Sequence, residues 1–155
     1  YRNLTNSSTT GAPLVGALLR RPFFTMRRRI VSALHREGYT DVQASHLADF
    51  QYPGPEGRSP LELARDAQVS KQVMNHLLTQ LEHGQYLERV VNPGNHRLRR
   101  VALTEQGHAV VAVIRSAVAE VESEWKTVLG PSTYRQLRGA LLELAGHLEL
   151  PEGDR

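Results

Sequence analysis

Two helix starts follow one another closely in the middle of the chain, and no other feature narrows the fold as much. Ser59-Pro60-Leu61-Glu62 joins an N-cap serine, a proline at the first helical position and a glutamate placed to return the capping bond, so a helix begins at Pro60. Leu61, Ala64 and Ala67 give it one apolar face, and the pattern breaks at Gln68-Val69. Ser70 then caps a second helix, whose spacing buries Met74, Leu77, Leu78 and Leu81 and which Gly84 terminates. Two helices joined so tightly predict a helix-turn-helix.

Beyond Gly84 the chain turns to strand chemistry. Tyr86 to Val91 and Leu98 to Leu103 are rich in β-branched and aromatic residues, and Asn92-Pro93-Gly94-Asn95-His96-Arg97 between them is turn chemistry throughout. A hairpin directly after a helix-turn-helix makes a winged helix, with Arg97 at the wing tip and Arg99 and Arg100 behind it.

Helical patterns flank this unit. Leu14, Leu18, Met26, Ile30, Ala33 and Leu34 suit a long helix from Pro13 to about Arg36, kinked or delayed by Pro22 and ended by Gly38. Thr40-Asp41-Val42-Gln43 has the form of a capping box opening a short helix that stops before Pro53-Gly54-Pro55. On the other side Thr104 caps a helix running to about Leu129, along which Val111, Ile114, Val118, Val121, Trp125 and Val128 form a heptad-like seam. After Gly130-Pro131 the spacing recurs in Tyr134, Leu137, Leu141, Leu144 and Leu148 before Pro151. No other domain is present for these seams to pack on, so a second copy of the chain is the expected partner.

The predicted fold is therefore mainly α with a small β-hairpin wing (α+β), a winged helix-turn-helix with N- and C-terminal dimerisation helices. Residues 1–12 are expected to be a flexible tail. Residues 13–155 form a single domain, with dimerisation helices in 13–37 and 104–150 and the winged helix-turn-helix in 57–103.

Composition excludes several classes of function. The 155 residues include no cysteine, so there is no disulfide framework, zinc-thiolate site or thiol nucleophile. The longest apolar run, Ala109 to Ile114, is too short to cross a bilayer; no membrane contact and a cytoplasmic location are expected. No Gly-x-Ser-x-Gly, phosphate-binding glycine loop or metalloprotease motif occurs, so neither an enzyme nor a cofactor is expected. His35, His46 and His108 lack the spacing of a metal site. Charge is more informative. Six arginines and no acid lie between Arg20 and Arg36, five bases face two acids from Ala67 to Arg100, and acids outnumber bases eight to five after Thr104. A basic middle predicts an anionic partner there.

In order and spacing, Leu61-Glu62-Leu63-Ala64, Val69-Ser70-Lys71-Gln72, Leu81-Glu82, Tyr86-Leu87-Glu88-Arg89-Val90 and Asn92-Pro93-Gly94-Asn95-His96-Arg97, leading to Val101-Ala102-Leu103-Thr104-Glu105-Gln106-Gly107, resemble the multiple-antibiotic-resistance-regulator (MarR) family of bacterial transcription factors. The resemblance implies a homodimer of winged helices that reads a pseudo-palindromic operator, usually as a repressor released by a small, often aromatic ligand. It departs from the family in the wing, where Asn92 and Asn95 replace acids, and after the second helix, where Gln85 stands at the usual glycine position.

If the helix from Ser70 enters the major groove, its outward residues are Ser70, Lys71, Gln72, Asn75, His76 and Gln80. Gln72 and Asn75 can each pair an adenine edge with two hydrogen bonds, whereas Ser70 and Lys71 suit phosphates. Arg97, and with it Arg99, would meet the minor groove or backbone from the wing. Arg20, Arg21, Arg27, Arg28 and Arg29 either extend that footprint or pair with Glu120, Glu122, Glu124 and Glu143. Phe23, Phe24, Met26, His35, Tyr39, His46 and Phe50, read as lying on the first two helices, are either effector contacts or ordinary core. Against double-stranded DNA as partner stands one alternative, a winged-helix protein-interaction module without specific DNA binding.

Overall fold

The computed structural model describes residues 13–50, 57–92 and 95–147, with the backbone alone at 92 and 95–98. The tail expected over 1–12, the Pro53-Gly54-Pro55 stop, Pro93-Gly94, Leu148 and Pro151 lie outside the described residues.

Helix α1, Val15–Arg36, runs through Pro22 and buries Ile30, Ala33 and Leu34. Gly38, at φ +92°, turns the chain, and the Tyr39 N–H returns to the Leu34 carbonyl at 3.0 Å. The capping box expected from Thr40 to Gln43 does not form. Thr40 and Asp41 lie in a turn, Asp41 accepts the Tyr86 hydroxyl and Val42 is buried, so helical backbone begins only after an extended Gln43. Gln43 is itself the cap: its N–H donates to His46 Nδ1 at 3.0 Å over a 3-10 turn, Ala44–His46, which leads into the four-residue helix α2, Leu47–Phe50.

Helix α3, Pro60–Asp66, begins where the sequence places it. Ser59 Oγ accepts the Glu62 N–H at 3.3 Å and Glu62 Oε2 accepts the Ser59 N–H at 2.7 Å, the latter holding the Glu62 carboxyl below its ordinary pKa. Its buried face differs from the expected one: Leu63 and Ala64 enter the core, whereas Leu61 is 54% exposed. Seven residues are fewer than two turns, too few for periodicity to distinguish the two faces.

Helix α4, Lys71–His83, buries Met74, Leu77, Leu78 and Leu81 as its spacing predicts, and Ser70 Oγ caps it by accepting the Val73 N–H at 3.2 Å. The left-handed residue after it is not Gly84 (φ −74°) but Gln85 (φ +60°). Strands β1, Leu87–Asn92, and β2, Asn95–Leu103, pair antiparallel from Leu87↔Leu103 to Val91↔Arg99. The hairpin is longer than predicted, because Asn92, Asn95, His96 and Arg97 belong to strands rather than to the turn, with an irregularity at Val91/Asn92. On the free edge of β2, Gly57 and Arg58 exchange backbone bonds with Val101, tying the wing to the start of α3.

Helix α5, Glu105–Leu129, is capped by Thr104, and α6, Pro131–His147, follows Gly130. The core takes Gly107, Val110, Ile114, Ala117 and Val121 from α5, not the whole predicted seam: Val111 and Val118 are only partly covered and Val128 is exposed. The helix carries two adjacent apolar stripes, and the chain's own core uses the first. No residue of α6 is buried.

One core group is out of keeping with its surroundings. Asp49 is 1% exposed, and neither carboxylate oxygen has a hydrogen-bond partner among the described residues; burial pushes its pKa up to about 7. With an unfolded-state value of 3.8, the folded chain retains a proton the unfolded chain has lost. Stability should therefore fall as pH rises from about 4 to 7, by up to about 1.4 kcal/mol per pH unit, and level off above. Chemical denaturation of Asp49→Asn across this range should lack that slope.

Candidate nucleic-acid interface

Helix α4 presents a polar face beside the wing. Ser70, Lys71, Gln72, His76 and Gln80 are exposed and Asn75 is half-buried. On a 3.6-residue repeat Gln72 and His76 lie opposite the buried Met74, Leu77, Leu78 and Leu81, with Gln80 on one flank and Asn75 on the other.

Both flanks are held by the rest of the chain. Gln80 Oε1 meets His46 Nε2 at 2.9 Å, while His46 Nδ1 already accepts the Gln43 N–H. The imidazole is thus the Nε2–H tautomer, donating to Gln80, and neither ring nitrogen is left for a metal. Gln80, expected to face outward, is braced from below by the 3-10 turn.

On the other flank lies a residue that sequence reasoning does not single out, Arg89 of β1. Its Nε donates to Glu82 Oε2 at 2.9 Å, Nη1 to Asn75 Oδ1 at 3.4 Å and Nη2 to Thr79 Oγ1 at 3.4 Å. Asn75, Thr79 and Glu82 have i, i+4, i+7 spacing, so one guanidinium spans a single ridge of α4. The signal in the sequence is a pair of opposite charges, Glu82 and Arg89, either side of the Gly84 turn.

In the wing, Arg99 is exposed, whereas Arg100 donates to the Gly57 carbonyl at 2.8 Å and so faces the lead into α3. The side chain of Arg97 lies outside the described residues, though its backbone belongs to β2. Nearby, Arg58 and Asp66 form an ion pair at the ends of α3.

The α1 arginines are engaged within the protein where their contacts are seen. Arg29 pairs with Glu124 of α5 at 2.6 Å, Arg27 donates to the Ala44 carbonyl and stacks over Phe23, and Arg20 lies over Phe24. Pairing with the acidic C-terminal half is thus realised at Arg29, in an exposed bridge of small energetic weight.

Candidate effector residues fall in three places. Phe23 and Met26 line an apolar cavity of about 930 Å³ between α1, α5 and α6, with Trp125, Leu129, Leu137 and Leu141. His35 lies on a smaller hollow of about 430 Å³ with Phe24, Arg27 and Arg28. Tyr39 belongs to the turn after α1, where its ring meets Tyr86 edge-on; His46 and Phe50 are core residues. Among the described residues, no group of three or more His, Asp or Glu side chains is placed to hold a metal ion, and no helix is long and apolar enough to cross a membrane.

No protein-family model and no curated protein matches the chain. Solved structures do. The transcriptional repressor CouR bound to a 23-mer DNA duplex is 20% identical, over 85% of this chain and 92% of that one, with a TM-score of 0.66. A MarR-family protein of Mycobacterium tuberculosis in complex with salicylic acid is 26% identical, over 86% and 97%, at 0.63. The MepR–DNA complex of S. aureus is 19% identical, over 88% and 100%, at 0.69.

A left-handed Gln85 carries a steric cost that glycine would not. Gln85→Gly should raise stability by about 0.5–1 kcal/mol, measured as a higher denaturant midpoint at unchanged slope.

Proposed function

We propose that this chain, which has the winged helix-turn-helix fold of the MarR-family regulators, is a homodimeric, sequence-specific DNA-binding transcriptional repressor. One observation carries the reading: α4 offers a continuous polar face, capped at Ser70 and braced on both flanks, beside a hairpin with exposed Arg99. Two of the similar folds are described as bound to DNA, which supports the same use here.

In this reading Ser70 and Lys71 hold phosphates at the groove edge, Gln72 pairs an adenine edge, and His76 approaches the bases from the next turn. Arg97 and Arg99 reach the minor groove or backbone, where a narrow groove concentrates negative potential. Asn92 and Asn95, standing where the family carries acids, leave the wing more positive. The protein acts by binding rather than catalysis, in the cytoplasm.

The homodimer is supported by what the single chain leaves uncovered. Leu14, Val15, Leu18 and Leu19 of the N-terminal region, Val128 and Leu129 of α5, and Leu137, Leu141, Leu142 and Leu144 of α6 are all exposed. Contiguous apolar surface on this scale requires a cover, and two-fold pairing of these helices sets two α4 helices about one helical turn of DNA apart. Sedimentation should give twice the chain mass, and Leu137→Glu combined with Leu141→Glu should give a monomer that still shows helical circular dichroism.

A small aromatic ligand is the effector in this reading; the apolar hollow at Phe23 and Met26 shares Leu129, Leu137 and Leu141 with the surface a second copy would cover, so the ligand would take only the part of it that the dimer leaves open. A similar fold is described with salicylic acid. Preference for a dimer with misplaced α4 helices would release DNA by that difference in affinity alone.

The test is selection from random duplexes at two salt concentrations. An enriched two-fold sequence is expected, with a salt slope of about −0.9 per phosphate contact. Arg97→Ala should weaken binding about tenfold or more. Equal weak affinity for all duplexes would overturn the reading and favour a protein-docking wing instead.

A further inference from the structure

Arg89 does more than join the wing to α4. A guanidinium has only donors, so the Asn75 atom it faces is the carbonyl oxygen Oδ1. Thr79 spends its hydroxyl hydrogen on the Asn75 backbone carbonyl at 2.8 Å, which leaves Oγ1 to accept from Arg89 Nη2. Glu82 takes Nε at 2.9 Å. Glu82 thus anchors the guanidinium, and the two longer contacts, to Asn75 and Thr79 at 3.4 Å, set its plane along the ridge and turn the Asn75 carbonyl oxygen towards it. A lysine has a single nitrogen and could not span the three.

We propose that Arg89 is a specificity-determining positioning residue, which turns Asn75 Oδ1 towards the wing and its Nδ2 hydrogens towards the major groove, so that Asn75 selects guanine, whose edge offers two acceptors, over adenine, whose edge sets one acceptor beside a donor. The inference rests on the DNA-binding reading above. Bidentate pairing with adenine needs Oδ1 and Nδ2 side by side on the base edge, accepting from N6 and donating to N7. With Oδ1 turned to Arg89, what remains is a pair of N–H donors. Guanine offers them two acceptors, N7 and O6, whereas adenine offers only N7 beside the N6 donor and thymine only O4. The sequence alone suggests adenine for Asn75; the Arg89 contact reverses that assignment.

The experiment is duplex selection with the full-length wild type, Asn75→Ala, Arg89→Lys and Glu82→Gln, followed by competition at each base of the recovered site. Asn75→Ala identifies the base pair it reads as the one whose preference vanishes. Wild type should prefer guanine over adenine there by about tenfold. Arg89→Lys, and more weakly Glu82→Gln, should erase that preference or shift it to adenine while preferences elsewhere in the site persist. Glu82→Gln keeps the shape of the anchor and serves if Arg89→Lys does not fold. Any base other than guanine preferred at that position in the wild type, a uniform loss at all positions in both variants, or no position responding to Asn75→Ala would each overturn the proposal while leaving the regulator standing. Failure of the wild type to enrich any duplex would overturn the regulator reading itself, and this inference with it.

Discussion

Helix α5 passes over Tyr86 so closely that only a residue without a side chain fits between them. A Cβ on Gly107 would overlap the Tyr86 carbonyl oxygen, and one on Gly84 would overlap the Tyr86 ring. The same tyrosine donates its hydroxyl to Asp41 and meets Tyr39 edge-on, 6.1 Å between ring centres. Burial, reinforced by Asp41, raises its phenol pKa to about 12, so it remains a donor throughout the physiological range. The end of α4, the start of β1, the start of α5 and the turn after α1 therefore share one joint. Dense packing of this kind transmits displacement rather than absorbing it.

From that joint outward, α4 is held on three sides. Tyr86 fixes its end, His46 takes Gln80 on one flank, and Arg89 takes Asn75, Thr79 and Glu82 on the other. What stays free is the strip through Lys71, Gln72 and His76. A helix braced in this way loses little further side-chain freedom on its flanks when it meets a ligand, which lowers the entropic cost of recognition.

Local chemistry explains what is legible in the sequence. The caps at Ser59, Ser70 and Thr104 are side-chain bonds to backbone a few residues away, and the buried stripe of α4 is long enough to fix its phase. Features decided by distant residues stay hidden. Thr40 has the form of a cap, but Asp41 beside it belongs to Tyr86; Leu61 and Leu63 are equivalent until the core chooses between them. Along α5 a heptad reading merges two stripes, because Ile114 and Val121 fit both. At the interface, periodicity gives the outward positions of α4, but not which of them the chain itself occupies: His46 and Arg89 reach Gln80 and Asn75 from other elements of the fold.

Helix α6 has a consequence for the life of the protein. A 17-residue helix with no buried residue rests on its own backbone bonds and on partial packing against α5. In a newly made, unaccompanied chain that segment would open more readily than the buried core and show its leucines to chaperones and proteases. Association would close this window by mass action. Turnover would then be fast at low abundance and slow once copies meet, so cellular levels would settle with a sharp threshold rather than in proportion to synthesis.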